Sequence, residues 1–118
     1  MKKLLVMLAL FTANVLMAQE GLNTSEIASF QTSVMKTELA LSEEQSEKVA
    51  TINQLFTEEQ VTLMNEEGSR FSKMGKMRKI MTTKNEKLNE VLNESQMRKY
   101  KDELLPRFRK HFRSKMNK

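Results

Sequence analysis

The side chains of this chain that could do chemistry are soft or cationic, not nucleophilic. There is one His, no Cys, and no Ser–His–acid grouping to activate a nucleophile. The residues therefore predict no catalytic centre, no cofactor site, no metal centre and no enzyme. His111, between Lys110 and Phe112 on a basic stretch, is expected to be a solvated bystander in preference to a metal ligand. Thioethers are more numerous, with ten Met in 118 residues. Met74, Met77 and Met81 fall on one helical face. Three roles compete for them: ordinary core or dimer packing, a Met-only site for soft Cu(I), or a pliable surface that adapts to varied apolar partners.

Arg70, Lys73, Lys76, Arg78 and Lys79 interleave with that Met face, and Phe71 stands beside it. Cations that capture at a distance and thioethers that then make adaptable contact suit weak, reversible binding of apolar segments, released by mass action. Residues 70–81 are accordingly the candidate client- or partner-binding stretch. The basic tail from Arg107 to Lys118 is a second candidate, its alternative being a frayed, solubilising end.

Charge is placed unevenly. From residue 19 to 67 there are ten Glu against Lys36 and Lys48, a balance of −8, whereas residues 68 to 118 carry sixteen Lys or Arg against five acids, a balance of +11. In a cytosolic protein this would raise nucleic-acid binding. The first residues argue against that setting. Met1-Lys2-Lys3 is followed by a mostly apolar run of 14 residues, Leu4 to Met17, and by small Ala18. This is the pattern of a signal peptide over residues 1–18, cut near Ala18/Gln19. The run is short of the roughly 20 apolar residues of a spanning helix. Export with no nucleic-acid partner is expected, with membrane contact at most peripheral. One such contact would be the basic tail on anionic lipid.

Helices must position the binding stretch. Leu41-Ser42-Glu43-Glu44-Gln45 and Leu92-Asn93-Glu94-Ser95-Gln96 both read as helix starts. Ser42 or Asn93 can accept a first-turn N–H while Gln45 or Gln96 reaches back to the cap. The leading Leu41 and Leu92 sit just outside. Apolar spacing predicts a short helix over 24–37 and longer ones over 43–66, 76–91 and 94–115. On the second helix, Val49, Ile52, Phe56 and Leu63 form the stripe, widened by Leu55 and Ala50; Gln45 and Glu59 are its polar members. On the third, Met77, Met81, Leu88 and Val91 keep the stepping and Lys84 interrupts it. Gly68 is expected to cap the second helix in the left-handed conformation. Gly68 to Gly75 reads as a flexible connection or a kinked first turn, and Pro106 as a kink or restart in the last helix. No strand pattern occurs, so the fold class is all-α. It is expected as a single domain over 19–118, an elongated antiparallel helical hairpin with the last helix returning along it. A homodimer would cover its apolar flank.

With both boxes in view, the chain resembles the Spy/CpxP family of periplasmic helical-hairpin proteins, which carry paired L-T-x-x-Q motifs. The likeness runs from about Thr37 to Arg113, with Ser42 and Asn93 in place of the motif's Thr. It implies a cradle-shaped antiparallel dimer in the periplasm that shields unfolded envelope proteins without ATP. An alternative within the resemblance is an adaptor that binds the sensor domain of an envelope-stress kinase. A metal-responsive role is a lesser one, since the clustered ligands it relies on are lacking here.

Overall fold

The computed structural model describes residues 23–116, and every regular element among them is helical. The predicted signal peptide and its cut at Ala18/Gln19 lie outside the described residues. Helix α1 (Thr24–Glu38) is capped by Asn23, whose Oδ1 accepts the Glu26 N–H at 3.0 Å. Its other end closes in a Schellman turn. The Leu41 N–H returns to the Lys36 carbonyl at 3.1 Å and the Ala40 N–H to the Thr37 carbonyl at 3.4 Å. Such a turn needs a left-handed residue, and Ala40 supplies it with φ +49°.

Helix α2 (Glu43–Asn65) starts at the first box and α3 (Arg70–Val91) follows after four residues. The third helix thus begins six residues before its predicted start. Ser69 explains this: its Oγ accepts the Ser72 N–H at 3.2 Å and organises a first turn. Gly75 lies inside the helix, against open space. Its helix cost, about 1 kcal/mol relative to Ala, is not enough to stop a capped segment. The expected glycine cap of α2 is also corrected. Glu66 takes the cap position with extended backbone, and Gly68, with φ +142°, sits in the connection beyond it.

The second box opens α4 (Glu94–Lys99), which runs through a π-helical turn (Tyr100–Leu104) into α5 (Leu105–Met116). No restart occurs at Pro106. The Leu105 N–H reaches back five residues to the Tyr100 carbonyl, and this wider ladder precedes the position where Pro106 has no N–H to give.

Contacts between side chains define the packing. Gln60 meets Met77 and Met81, and Lys73 Nζ donates to the Met64 carbonyl at 3.2 Å, so α2 and α3 form an antiparallel hairpin. Asn53 Nδ2 donates to Thr32 Oγ1 at 2.9 Å, which sets α1 antiparallel to α2. The last helix does not return along the hairpin as expected. It runs antiparallel to α1, with Arg107 paired to Glu38 at 3.2 Å and Lys115 to Glu26 at 2.6 Å. Met35, Val49, Leu88, Tyr100 and Leu104 are the most buried of the apolar cluster where these helices converge. The described residues span 49 × 38 × 21 Å, a slab two helix diameters thick.

Burial corrects two further sequence readings. Leu55 is 51% exposed and Ala50 is exposed, so neither widens the α2 stripe. Asn53, Thr57 and Gln60 are buried in their place.

Candidate functional site

The two boxes fix where the arms of the slab meet. Ser42 Oγ accepts the Gln45 N–H at 3.1 Å, and the Ser42 N–H donates to Gln45 Oε1 at 3.1 Å. In the second box Asn93 Oδ1 accepts the Gln96 N–H at 2.8 Å, and the Asn93 N–H donates to Gln96 Oε1 at 3.0 Å. The boxes also hold each other. Gln45 Nε2 donates to Gln96 Oε1 at 2.8 Å and to the Val91 carbonyl at 3.1 Å. Gln96 Nε2 donates to Gln45 Oε1 at 3.3 Å and to the Leu39 carbonyl at 3.0 Å. Each amide thereby makes all four hydrogen bonds open to it. Leu41 and Leu92 are buried beneath. These residues are structural fastenings and present no reactive group.

From this clasp the α2–α3 hairpin and α5 lead away, and a groove of about 780 Å³ lies between α3 and α5. Met64, Met74, Met77, Met81 and Met116 line it together with Leu105, Phe108 and Phe112. Its cations are Arg70, Lys73, Lys84, Arg109 and Arg113, and among the described residues no carboxylate is part of the lining. The groove is therefore apolar inside and basic at its walls.

The residues singled out by sequence divide between two surfaces. Arg70, Lys73, Met74, Met77 and Met81 come together in the groove. Lys76 and Lys79 line a separate shallow cleft between α2 and α3 with Glu58, Glu59 and Glu66, and Lys76 pairs with Glu66 at 3.7 Å. Arg78 and Phe71 line neither, and Phe71 is 88% exposed. One i, i+3, i+4 ridge of α3 faces the groove, while the intervening positions face outward. The tail contributes Phe112, Arg113 and Met116 to the groove's far wall.

Sequence reasoning missed the innermost members. Lys84, read as a break in an apolar stripe, is 1% exposed and donates to Gln31 Oε1 at 2.8 Å. It has no ion pair among the described residues. Desolvation by burial lowers its pKa from 10.5 to about 8. Gln60 is also buried. Its Nε2 faces the sulfurs of Met81 at 3.1 Å and Met77 at 3.6 Å, and its Oε1 has no hydrogen-bond partner among the described residues. A cation at a stripe position was the signal for Lys84; nothing in sequence marked Gln31 or Gln60.

His111 is not a solvated bystander. Its ring stacks on Phe30 with centroids 3.9 Å apart, and its Nδ1 is buried without a hydrogen-bond partner among the described residues. Burial lowers its pKa from the ordinary value and Lys115 adds to this, with Glu26 acting in the opposite direction. Among the described residues no cluster of three His, Cys, Asp or Glu could hold a metal ion, and no helix is long and apolar enough to cross a membrane.

Residues 17–100 match a family described as a domain of unknown function (DUF4890). The matched span covers α1 to α4 and ends at the first residue of the π-helical turn. No curated protein and no solved structure matches the chain.

Proposed function

We propose that this chain, which belongs to the DUF4890 family, is an ATP-independent chaperone of the cell envelope that holds unfolded or aggregation-prone proteins. The observation that carries this reading is the groove between α3 and α5, with its thioether and aromatic lining and basic walls. Methionine side chains adjust to apolar segments of different shape, so the groove does not demand one sequence. Arg70, Arg109 and Arg113 attract clients of net negative charge before contact. Such binding is weak per site and reverses as free client is consumed by folding.

The signal-peptide pattern of residues 1–18 supports an exported setting, and the paired boxes support a Spy/CpxP-like role, both as parts of the same proposal. The test is suppression of aggregation. Purified protein is mixed at near-stoichiometric ratio with several unrelated denatured proteins and light scattering is followed. Lower scattering for most clients supports the reading, and no effect on any client overturns it. If instead one envelope protein co-purifies and is released on reversing the charges of Arg78 and Lys79, the chain is an adaptor and not a general holdase.

A further inference from the structure

The groove is unlike a plain apolar trough at its inner end. Counting along α3 from Arg70 to Lys84, it extends for about 21 Å at 1.5 Å per residue. Arg70 and Met116 mark its outer part, while Lys84, Gln31 and Leu105 lie toward the clasp. The inner residues are buried and the outer ones exposed: Gln31 is 3% and Phe108 3% exposed, against 58% for Met74. A buried ammonium has three hydrogens to place, and Lys84 spends one on Gln31. A cation desolvated without a carboxylate is costly, and among the described residues the groove's lining offers it none.

We propose that this inner end binds the carboxylate of a single-chain fatty acid on the Lys84 ammonium, the hydrocarbon chain lying outward along Met81, Met77 and Met74 against Phe108 and Phe112. Four properties select that occupant. The volume falls within the roughly 300–1,000 Å³ of small-ligand sites, which are mostly apolar with a few convergent polar groups. Charge complementarity requires an anion. At the buried inner end Met81, Leu105 and Phe108 surround Lys84, and an alkyl chain laid there leaves no polar group unpaired. A peptide's backbone N–H and C=O groups are met by Arg70, Lys73, Arg109, Arg113 and water only in the outer part. The flexible Met side chains match a flexible chain of varied length. The inference goes beyond the chaperone reading and does not depend on it, because fatty-acid binding and aggregation suppression are measured separately.

The test is calorimetric titration of the purified protein at pH 7 with laurate and, separately, with dodecyltrimethylammonium, which has the same tail and the opposite charge. One laurate per chain is expected, bound at least tenfold more tightly than the cation. Lys84→Met keeps the groove apolar and should weaken laurate at least tenfold. It should leave the weaker cation binding unchanged or improved. NMR of the Met ε-methyl groups in the unmodified protein gives a second measurement that does not rely on the variant folding. Laurate should shift Met74, Met77 and Met81, and acetate should not. Absence of saturable laurate binding, equal binding by Lys84→Met, equal affinity for the cation, or methyl shifts that omit the α3 methionines would each overturn the proposal.

Discussion

The side-chain amides of Gln45 and Gln96, 51 positions apart, hydrogen-bond to each other in both directions, at 2.8 and 3.3 Å. Each comes from a capping box, and each also binds the backbone next to the other's box. The beginnings of α2 and α4 and the ends of α1 and α3 are thereby fastened at one point. The groove between α3 and α5 inherits its shape from that junction, which lies at the end of the slab opposite the α2–α3 connection.

Removing one glutamine leaves the other's donor and acceptor without partners in a partly buried site. Gln45→Leu and Gln96→Leu are each expected to cost about 1–3 kcal/mol. The double variant should cost less than the sum of the two, because the residues share one network. Urea unfolding of the four proteins gives the coupling directly; strict additivity would mean that the amides do not support each other.

Ala40 holds a left-handed conformation at the end of α1, with φ +49°. An L-residue with a Cβ bears a strain of roughly 1–2 kcal/mol there, which Gly does not. Ala40→Gly is expected to raise stability by about 1 kcal/mol after its greater freedom in the unfolded chain is counted. A fall in the unfolding midpoint would show that Ala40 is not held in this turn.

Lys84 links stability to pH. Its ammonium titrates at about 8 in the folded chain against an ordinary 10.5. Below pH 8 it is charged in both states and the folded state bears the cost of burying it. Between pH 8 and 10.5 the unfolded chain binds a proton that the folded chain does not, so stability rises with pH across that window. The gap between the two values corresponds to about 3 kcal/mol. Relative to the parent, Lys84→Met should be most stable at pH 7 and should lose up to about 3 kcal/mol of that standing as pH approaches 10.5, whatever fixed cost comes from leaving Gln31 Oε1 unpaired. A difference independent of pH would contradict the burial of a charged Lys84.

Phe71 is a useful contrast. It is 88% exposed on α3 and lines neither the groove nor the α2–α3 cleft. Phe71→Ser is expected to change the unfolding free energy by less than about 0.5 kcal/mol and to leave aggregation suppression as it is. If suppression is lost with Phe71, clients bind the outer face of α3.

Much of this was legible in the sequence, and the parts that were not share a physical origin. Caps are local chemistry, so Ser42 with Gln45 and Asn93 with Gln96 could be read directly as helix starts. That the two glutamines would meet each other depends on how the arms pack, and no spacing rule carries it. Gly75 weighs against a helix by propensity alone, but the Ser69 cap outweighs it. Pro106 signals a disrupted ladder, and the disruption is absorbed one turn earlier as the π-helical turn at Tyr100–Leu104. Lys84 is the instructive case. Charged residues at stripe positions usually extend to water, and this one is enclosed because α1 brings Gln31 to meet it. The split of residues 70–81 between groove and outer face follows from helical periodicity, but which face is concave is decided by α5.

The groove as client site is tested most directly by comparing aggregation suppression by the parent protein, Met77→Asp and Phe71→Ser at equal concentration. The first substitution places a charge on the apolar lining, and the second alters a larger and more exposed apolar side chain elsewhere on the same helix. The expectation is that the parent and Phe71→Ser suppress aggregation of several unrelated clients alike, while Met77→Asp, shown by circular dichroism to remain folded, suppresses little. Undiminished suppression by folded Met77→Asp would contradict it.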